Sequence, residues 1–231
     1  MLPLNDTEPN RYERQSSMTI ALIMINVLVM IAEWVIGFND YDKLVNVFRV
    51  FGFTPSLAMD SSGAGAIMSI TSLFLHGGFW HLFGNMVFLW VFGRRVEDAC
   101  GPWRFLLFYL TCGVIADFAT AVIELDSSIP SIGASGAISG IIGAHFLLFP
   151  GGRIRIFVLL VYVPIFPRIR AFWLILFWIA TQIIPAMDIL INHAGYSIGY
   201  WAHLGGFLSA PLVFLFLRPQ AFQRFFNGVP V

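Results

Sequence analysis

The amino-acid sequence predicts an all-α membrane protein: a bundle of six transmembrane helices with a long interfacial loop between the first two. The chain is 58% hydrophobic with a mean hydropathy of +0.80, and 11% of its residues are charged, whereas a soluble domain carries about 25%. Apolar runs near the length of a membrane span recur along it. This apolar composition implies the lipid bilayer as a partner, and the net charge of +0 gives no indication of nucleic acid.

The apolar runs divide the chain into spans, loops and tails. The predicted spans, numbered in chain order, are 18–38, 78–93, 102–125, 135–149, 171–187 and 198–217. Residues 1–17 and 218–231 are predicted tails. The connection 39–77 mixes charges with aromatic residues and is expected to lie in the membrane interface, with a turn at 61–65. Residues 153–170 are apolar but contain two prolines between flanking arginines, which predicts an interfacial excursion and not a span.

Basic residues predict the orientation of this bundle. If span 1 begins in the cytoplasm, only Lys43 and Arg49 lie on the opposite side. The cytoplasmic segments hold the other eleven, Arg11, Arg14, Arg94, Arg95, Arg104, Arg153, Arg155, Arg168, Arg170, Arg218 and Arg224. Because cytoplasmic loops are enriched in Lys and Arg, we expect both termini in the cytoplasm. Asp6, Glu8 and Glu13 are atypical of a mitochondrial presequence, which avoids acidic residues.

Ser135, in the stretch Gly133-Ala134-Ser135-Gly136 that opens span 4, is open to two interpretations. It is either a helix cap followed by a packing face or a nucleophile. Ser135 and His203 each lie 14 residues from the cytoplasmic ends of spans 4 and 6, and His81 lies 12 residues from that of span 2. At 1.5 Å per residue these depths are roughly 21, 21 and 18 Å. Polar side chains at one depth in a membrane favour a functional site.

Small residues provide for close approach of spans 4 and 6. Gly136 and Gly140 on span 4, and Ala202 and Gly206 on span 6, recur at four-residue intervals. Such faces let helix backbones come close, as a hydrogen bond between the serine and the histidine requires. Packing alone is the alternative interpretation of these residues.

His81 and Asn85 share one face of span 2, because they lie four residues apart. Together with the Ser135 backbone N–H they supply the donors that an oxyanion needs. The alternative is a hydrogen-bonded pair that only holds the bundle. His76 is expected to order the loop above the site, and Asp117 to be a structural hydrogen-bonding residue in span 3.

The remaining polar residues favour no rival chemistry. His145 lies about 15 Å along span 4 from Ser135, near the cytoplasmic headgroups. His193 is expected to be solvated in the last loop, and Glu97 to hold the loop between spans 2 and 3. Span 2 lacks an H-E-x-x-H zinc motif, and Ala137 breaks the G-x-S-x-G pattern. What remains is a Ser–His dyad without a third acidic member.

Three motifs resemble the signatures of the rhomboid intramembrane serine proteases, over about residues 18–217. The motifs are His81-Leu82-Phe83-Gly84-Asn85, Gly133-Ala134-Ser135-Gly136 and Ala202-His203-Leu204-Gly205-Gly206. The resemblance implies a six-span rhomboid-like bundle in which Ser135 is the nucleophile and His203 its base. It implies an oxyanion hole formed by the Ser135 N–H, His81 and Asn85. Support of the site is expected from Gly133, Gly136, His76 and Gly206.

The resemblance also implies transmembrane-helix protein substrates, reaching the site past spans 2 and 5 and the first loop. No metal or cofactor belongs to this chemistry. Two positions differ from the family: Ser139 stands where some members have an aromatic residue, and the pair Trp103-Arg104 follows span 2 where many members have it in the first loop. The absence of a seventh span resembles the basic bacterial form, so we expect a bacterial inner membrane.

Two other functions remain as alternatives. A catalytically silent relative would bind membrane proteins for quality control or trafficking, but such relatives typically lack the serine or the histidine. A small-solute transporter is disfavoured, because broken helices in two matching halves are not seen.

Overall fold

A computed structural model of the chain describes residues 2–13, 15–58, 64–192 and 198–231, and most of them are helical, as predicted. The α-helices are α1 (Ser17–Asn39), α2 (Tyr41–Phe51), α3 (Pro55–Ala58), α4 (Ala64–Thr71), α5 (Phe79–Phe88), α6 (Arg94–Cys100), α7 (Pro102–Ile123), α8 (Ser135–Leu148), α9 (Ala171–Asn192), α10 (Tyr200–Leu208), α11 (Val213–Phe216) and α12 (Pro219–Phe226). The strands are β1 (Leu2–Asp6), β2 (Arg153–Leu160), β3 (Val163–Ile165) and β4 (Arg168–Arg170). Arg14, His193 and the start of the predicted turn at 61–65 lie outside the described residues.

Three helices, α1, α7 and α9, are long and apolar enough to cross a membrane. Two further helix pairs pass the same criterion together, but each pair is bent, by 89° between residues 64–74 and 79–100 and by 109° between 200–216 and 219–226. Helix α8 has 14 residues and is shorter than a full span. By length and composition, the described residues therefore hold three to five candidate spans, and the count of six stays a prediction.

The second span differs from the predicted end at Gly93. Helix α5 continues through a π-helical segment (Leu89–Gly93) into α6, which ends at Cys100. Gly101, with φ of +85°, ends this helix, and Pro102 begins α7. A left-handed glycine and an N-terminal proline are typical of such a junction. The charged residues of α6 are thus inside a helix, where Arg95, Glu97 and Asp98 are buried.

The N-terminal segment, which the sequence predicts to be a tail, docks on α6. Asp98 accepts hydrogen bonds from the backbone N–H groups of residues 11–13, at 2.6–2.8 Å. Glu97 accepts from the N–H groups of Met18 and Thr19 and from the Thr19 hydroxyl, at 2.7–2.8 Å. Glu97 therefore satisfies the free donors at the start of α1. This corrects the expectation that its side chain holds the loop between spans 2 and 3.

A four-stranded antiparallel sheet joins the chain start to residues 153–170. Strand β2 pairs with β1, β3 and β4. Its sequence begins with alternating arginine and isoleucine, and Ile154 and Ile156 are fully buried while Arg153 is exposed. That period of two is typical of a half-buried strand. No local sequence pattern predicts the pairing of β1 with β2, because these two strands lie about 150 residues apart along the chain.

Asp6, at the end of β1, ties this sheet to the helices. Its carboxylate lies 2.9 Å from His145 Nε2 and 3.8 Å from Arg95 Nε. Burial acts to raise the pKa of Asp6, but the His145 hydrogen bond, the nearby cationic charge and the Glu8 N–H together hold it below its usual value. His145 itself is fully buried against this carboxylate.

We expect Asp6→Asn to lower the free energy of unfolding by about 2 kcal/mol at pH 7, since it weakens a buried charged hydrogen bond. A depressed folded pKa stabilises the protein above the ordinary value of about 3.9, and that stabilisation is lost as the pH falls through the folded value. Thermal unfolding in detergent at neutral and acid pH measures the difference, with the exposed Asp126→Asn as control. Equal stability of wild type and Asp6→Asn at pH 7 would contradict this prediction.

Candidate active site

Ser135 is the first helical residue of α8, and its hydroxyl does not cap the helix. The N-cap is Ala134, and the helix start has no side-chain capping hydrogen bond. The hydroxyl makes no hydrogen bond to any described residue, and the side chain is half-buried. The capping interpretation is therefore wrong. The Ser135 N–H has no acceptor within the helix and lies at the positive end of the helix dipole.

The turn before Ser135 is held from two sides. Gly133 has φ of +119°, a left-handed conformation that favours glycine, and its N–H donates to the Ser72 carbonyl at 2.9 Å. The Ser72 hydroxyl donates to Asp117 Oδ2 at 2.9 Å, which confirms the structural role predicted for Asp117. Ser131 and Phe53 exchange two backbone hydrogen bonds of 2.8 and 2.9 Å. The first loop and α7 thus fix the approach to α8.

The two predicted oxyanion donors of α5 lie against this turn. A Cβ placed on Gly133 would be 2.6 Å from His81 Nε2 and 3.6 Å from Asn85 Nδ2. The Gly77 N–H donates to His81 Nδ1 at 3.4 Å, so a neutral His81 ring carries its proton on Nε2. A side-chain N–H from each residue therefore reaches the turn that leads into Ser135.

His76 is buried beside Asn85 and orients it. Asn85 Nδ2 lies 3.0 Å from His76 Nε2, and His76 Nδ1 lies 3.3 Å from the Phe74 carbonyl. Because that carbonyl can only accept, Nδ1 carries the proton and Nε2 accepts from the Asn85 amide. Glu33 of α1 accepts from the His76 backbone N–H at 3.1 Å. Glu33 was not among the predicted site residues, although a carboxylate inside span 1 is itself a signal.

Helices α8 and α10 touch through their backbones at the level of the serine. A Cβ on Gly206 would overlap the Gly136 carbonyl oxygen, and a Cβ on Gly136 would lie 3.8 Å from that of Ala202. Ser135 precedes Gly136, and His203 follows Ala202. The glycines thus set the predicted nucleophile and base at neighbouring levels of two helices in contact, as the small-residue spacing predicts.

The hydrogen bond between the two predicted dyad residues is not formed in this structure. Instead, His203 Nδ1 lies 2.7 Å from Gln182 Oε1 on α9. Catalytic hydrogen bonds are often long in enzymes without substrate, so this geometry is compatible with a dyad that forms on binding. Gln182 was not among the predicted site residues; its signal in the sequence is an amide within span 5.

Aromatic rings reach His203 from positions other than the one that some family members use. Ser139, at that position, donates its hydroxyl to the Ser135 carbonyl at 2.7 Å. The rings of Trp178 and Tyr200 lie 6.1 and 6.2 Å from that of His203, centroid to centroid. Helix α9 and the first turn of α10 therefore supply the ring contacts. Within the described ranges, no three His, Cys, Asp or Glu side chains are grouped as metal ligands.

For the peptide cleavage that the resemblance implies, we expect Gly133→Ala to lower kcat/KM by about 100-fold, the effect of losing one oxyanion donor. The new methyl group would displace His81 and would force a left-handed backbone on alanine. The measurement is peptide cleavage in detergent, with Gly151→Ala as control, since a Cβ there meets nothing within 4 Å. Full activity of Gly133→Ala would argue against the position assigned to His81.

Fold and site together define a helical membrane protein in which a serine, a histidine and two side-chain donors come from three helices. The sequence profile of the Rhomboid domain matches residues 65–220. The chain belongs to the rhomboid family, whose members are integral membrane proteins.

Similar proteins come from mitochondria and bacteria. Human presenilin-associated rhomboid-like protein, mitochondrial, is 32% identical over 142 residues, which are 60% of this chain and 35% of that protein. Rhomboid protein 1, mitochondrial, of Saccharomyces cerevisiae is 32% identical over 144 residues, 61% of this chain and 38% of that protein. Rhomboid protease GluP of Bacillus subtilis is 45% identical over 75 residues, 32% and 14% of the two chains. The matched part of this chain thus spans just over a third of the length of these mitochondrial relatives.

Proposed function

We propose that this chain is an intramembrane serine protease that hydrolyses peptide bonds in or near transmembrane segments of membrane proteins. The observation that carries the proposal is the Ser135 hydroxyl. It begins a short buried helix, has no hydrogen-bond partner among the described residues, and lies one residue from the contact between α8 and α10. The name of the Bacillus relative, a rhomboid protease, supports the same chemistry.

The mechanism follows from the donors and acceptors at the site. His203 Nε2 takes the proton of Ser135 Oγ as the oxygen attacks the scissile carbonyl carbon. The resulting oxyanion accepts hydrogen bonds from the Ser135 N–H, His81 Nε2–H and Asn85 Nδ2–H. Collapse breaks the C–N bond, and His203 returns the proton to the departing amine. Water then attacks the acyl-enzyme by the same route, releasing the second product and restoring the serine.

Access for a substrate helix is supported by the loose packing of α9. Four of the 22 residues of α9 are buried, against nine of the 22 residues of α7. An apolar cleft separates α9 from the second span and α8. It is lined by Pro3, Phe88, Phe92, Ile142, Leu174, Ile175, Phe177, Trp178 and Thr181. A transmembrane helix is an apolar ligand of matching chemistry, so we place its approach between α5 and α9.

The identity of the membrane and the orientation of the chain in it belong to the proposal. Both termini are placed in the cytoplasm by the distribution of basic residues. The bacterial inner membrane stays a prediction, because the similar proteins include mitochondrial members as well as a Bacillus one.

A cleavage assay tests the proposal against the alternative of a silent, membrane-protein-binding relative. The purified chain in liposomes is incubated with a panel of transmembrane peptides, and products are identified by mass spectrometry. We expect internal cleavage within or beside the apolar segment, absent from a parallel Ser135→Ala preparation. Binding of peptides without any cleavage would favour the silent relative, and equal cleavage by the Ser135→Ala preparation would overturn the protease.

A further inference from the structure

Gln182 is the one polar residue on the inward face of α9. Of the 22 residues in this helix four are buried, namely Ala171, Ile175, Gln182 and Ala186. Their spacing of four, seven and four places them on one side of the helix. An amide within a span is costly unless it is hydrogen-bonded. Because Gln182 is buried within a span, its amide needs hydrogen-bond partners inside the protein.

The hydrogen bonds of Gln182 fix the orientation of its amide. Nε2 lies 3.3 Å from the Trp178 carbonyl oxygen and 2.8 Å from Thr181 Oγ1. The Thr181 hydroxyl donates its own hydrogen to the same carbonyl at 2.6 Å, so its oxygen is left to accept. Both neighbours therefore require an N–H donor on this side of the amide. The oxygen, Oε1, must point the other way, and there it meets His203 Nδ1 at 2.7 Å.

This contact selects the tautomer of His203. An amide oxygen can only accept, so Nδ1 of the ring must carry a hydrogen. In a neutral imidazole the lone pair is then on Nε2, which is the form needed to accept the serine proton. Trp178, one turn before Gln182, lies beside the same ring, with 6.1 Å between centroids. One helix thus holds His203 by a hydrogen bond and by a ring contact.

We propose that Gln182 is the positioning residue of the catalytic histidine, doing with a neutral amide what the carboxylate does in a Ser-His-Asp triad. The proposal rests on the protease function proposed above. It has a structural consequence: the catalytic group is complete only while α9 is packed against α10. The helix that borders the proposed path of the substrate therefore also sets the state of the base.

The test compares two substitutions of similar size. Gln182→Met removes the acceptor, and misorientation of the base is expected to lower kcat by about 10- to 100-fold with KM within twofold. Gln182→Glu keeps an acceptor for His203, and its second oxygen can accept from the Thr181 hydroxyl once that hydroxyl turns away from the Trp178 carbonyl, so kcat should stay within about fivefold of wild type. Its negative charge should also shift the acid limb of the kcat/KM profile to higher pH. Gln223→Met, at an exposed position of α12, is the matched control.

The outcomes separate this proposal from the function on which it rests. If wild type cleaves nothing, the proposed function fails. If wild type cleaves and Gln182→Met has the same kcat and pH profile, the positioning role is overturned while the protease stands. If Gln182→Met and Gln182→Glu both lose activity with wild-type thermal unfolding, the shape of the glutamine and not its acceptor is required, which also overturns the proposal. Rescue by Glu alone supports it.

Discussion

Ser135→Ala or His203→Ala is expected to remove proteolysis, with kcat falling by about 10⁶-fold in each case. The two side chains act as one unit, because neither the nucleophile nor its base is useful without the other. The double variant should therefore be no slower than either single variant. Initial rates on a transmembrane peptide in liposomes measure this, with long incubations for the slow variants.

Ser139→Ala is the matched control, since it removes a second hydroxyl one turn further along α8. That hydroxyl donates to the Ser135 carbonyl at 2.7 Å and reaches no other described group. Loss of such a bond costs about 1 kcal/mol of stability and should change kcat by no more than about tenfold. Additive losses in the Ser135–His203 double variant would contradict a shared catalytic step.

Gly206→Ala is expected to have the second largest effect. The variant should lower kcat/KM by about 100-fold or more, and it should lower the free energy of unfolding by roughly 1–3 kcal/mol. Its methyl group would overlap the Gly136 carbonyl oxygen and lie 3.2 Å from Ser139 Cβ. Relief requires α8 and α10 to separate by about 1 Å, since a carbon and a carbonyl oxygen approach to roughly 3.3 Å. Ser135 and His203 would separate with them.

Gly84→Ala controls for the exchange of glycine in a helix. A Cβ at Gly84 meets nothing within 4 Å, so this variant gains helix propensity of up to about 1 kcal/mol without a clash. Thermal unfolding and cleavage are measured for both variants. A Gly206→Ala protein with wild-type stability and rate would show that the close contact between α8 and α10 is not what positions the dyad.

Much of the candidate site could be predicted from the sequence, because depth in the membrane can be counted in residues along a helix. Counting residues from the cytoplasmic ends placed Ser135, His81 and His203 near one level, and the structure gathers their helices there. The start of α8 at Ser135 was also predictable, since a polar loop gives way to an apolar run at that point. Small-residue spacing predicted the contact through Gly136 and Gly206.

Partners from distant helices could not be predicted in the same way. Gln182 and Glu33 stand out as polar residues within spans, but which side of a helix faces inward depends on how the bundle packs. The pairing of β1 with β2 joins residues about 150 positions apart and leaves no local pattern in a five-residue strand. Glu97 likewise lies near the loop between spans 2 and 3 in the sequence, yet its carboxylate accepts hydrogen bonds from backbone N–H groups at the start of α1.

Covalent labelling by a fluorophosphonate tests the central claim, a serine nucleophile activated by His203, most directly. The purified chain is treated with the probe in detergent, digested, and the modified residue is located by tandem mass spectrometry. We expect one modified residue, Ser135, and loss of labelling in His203→Ala protein that unfolds at the wild-type temperature. Labelling of another residue, or undiminished labelling of Ser135 in His203→Ala, would contradict the account.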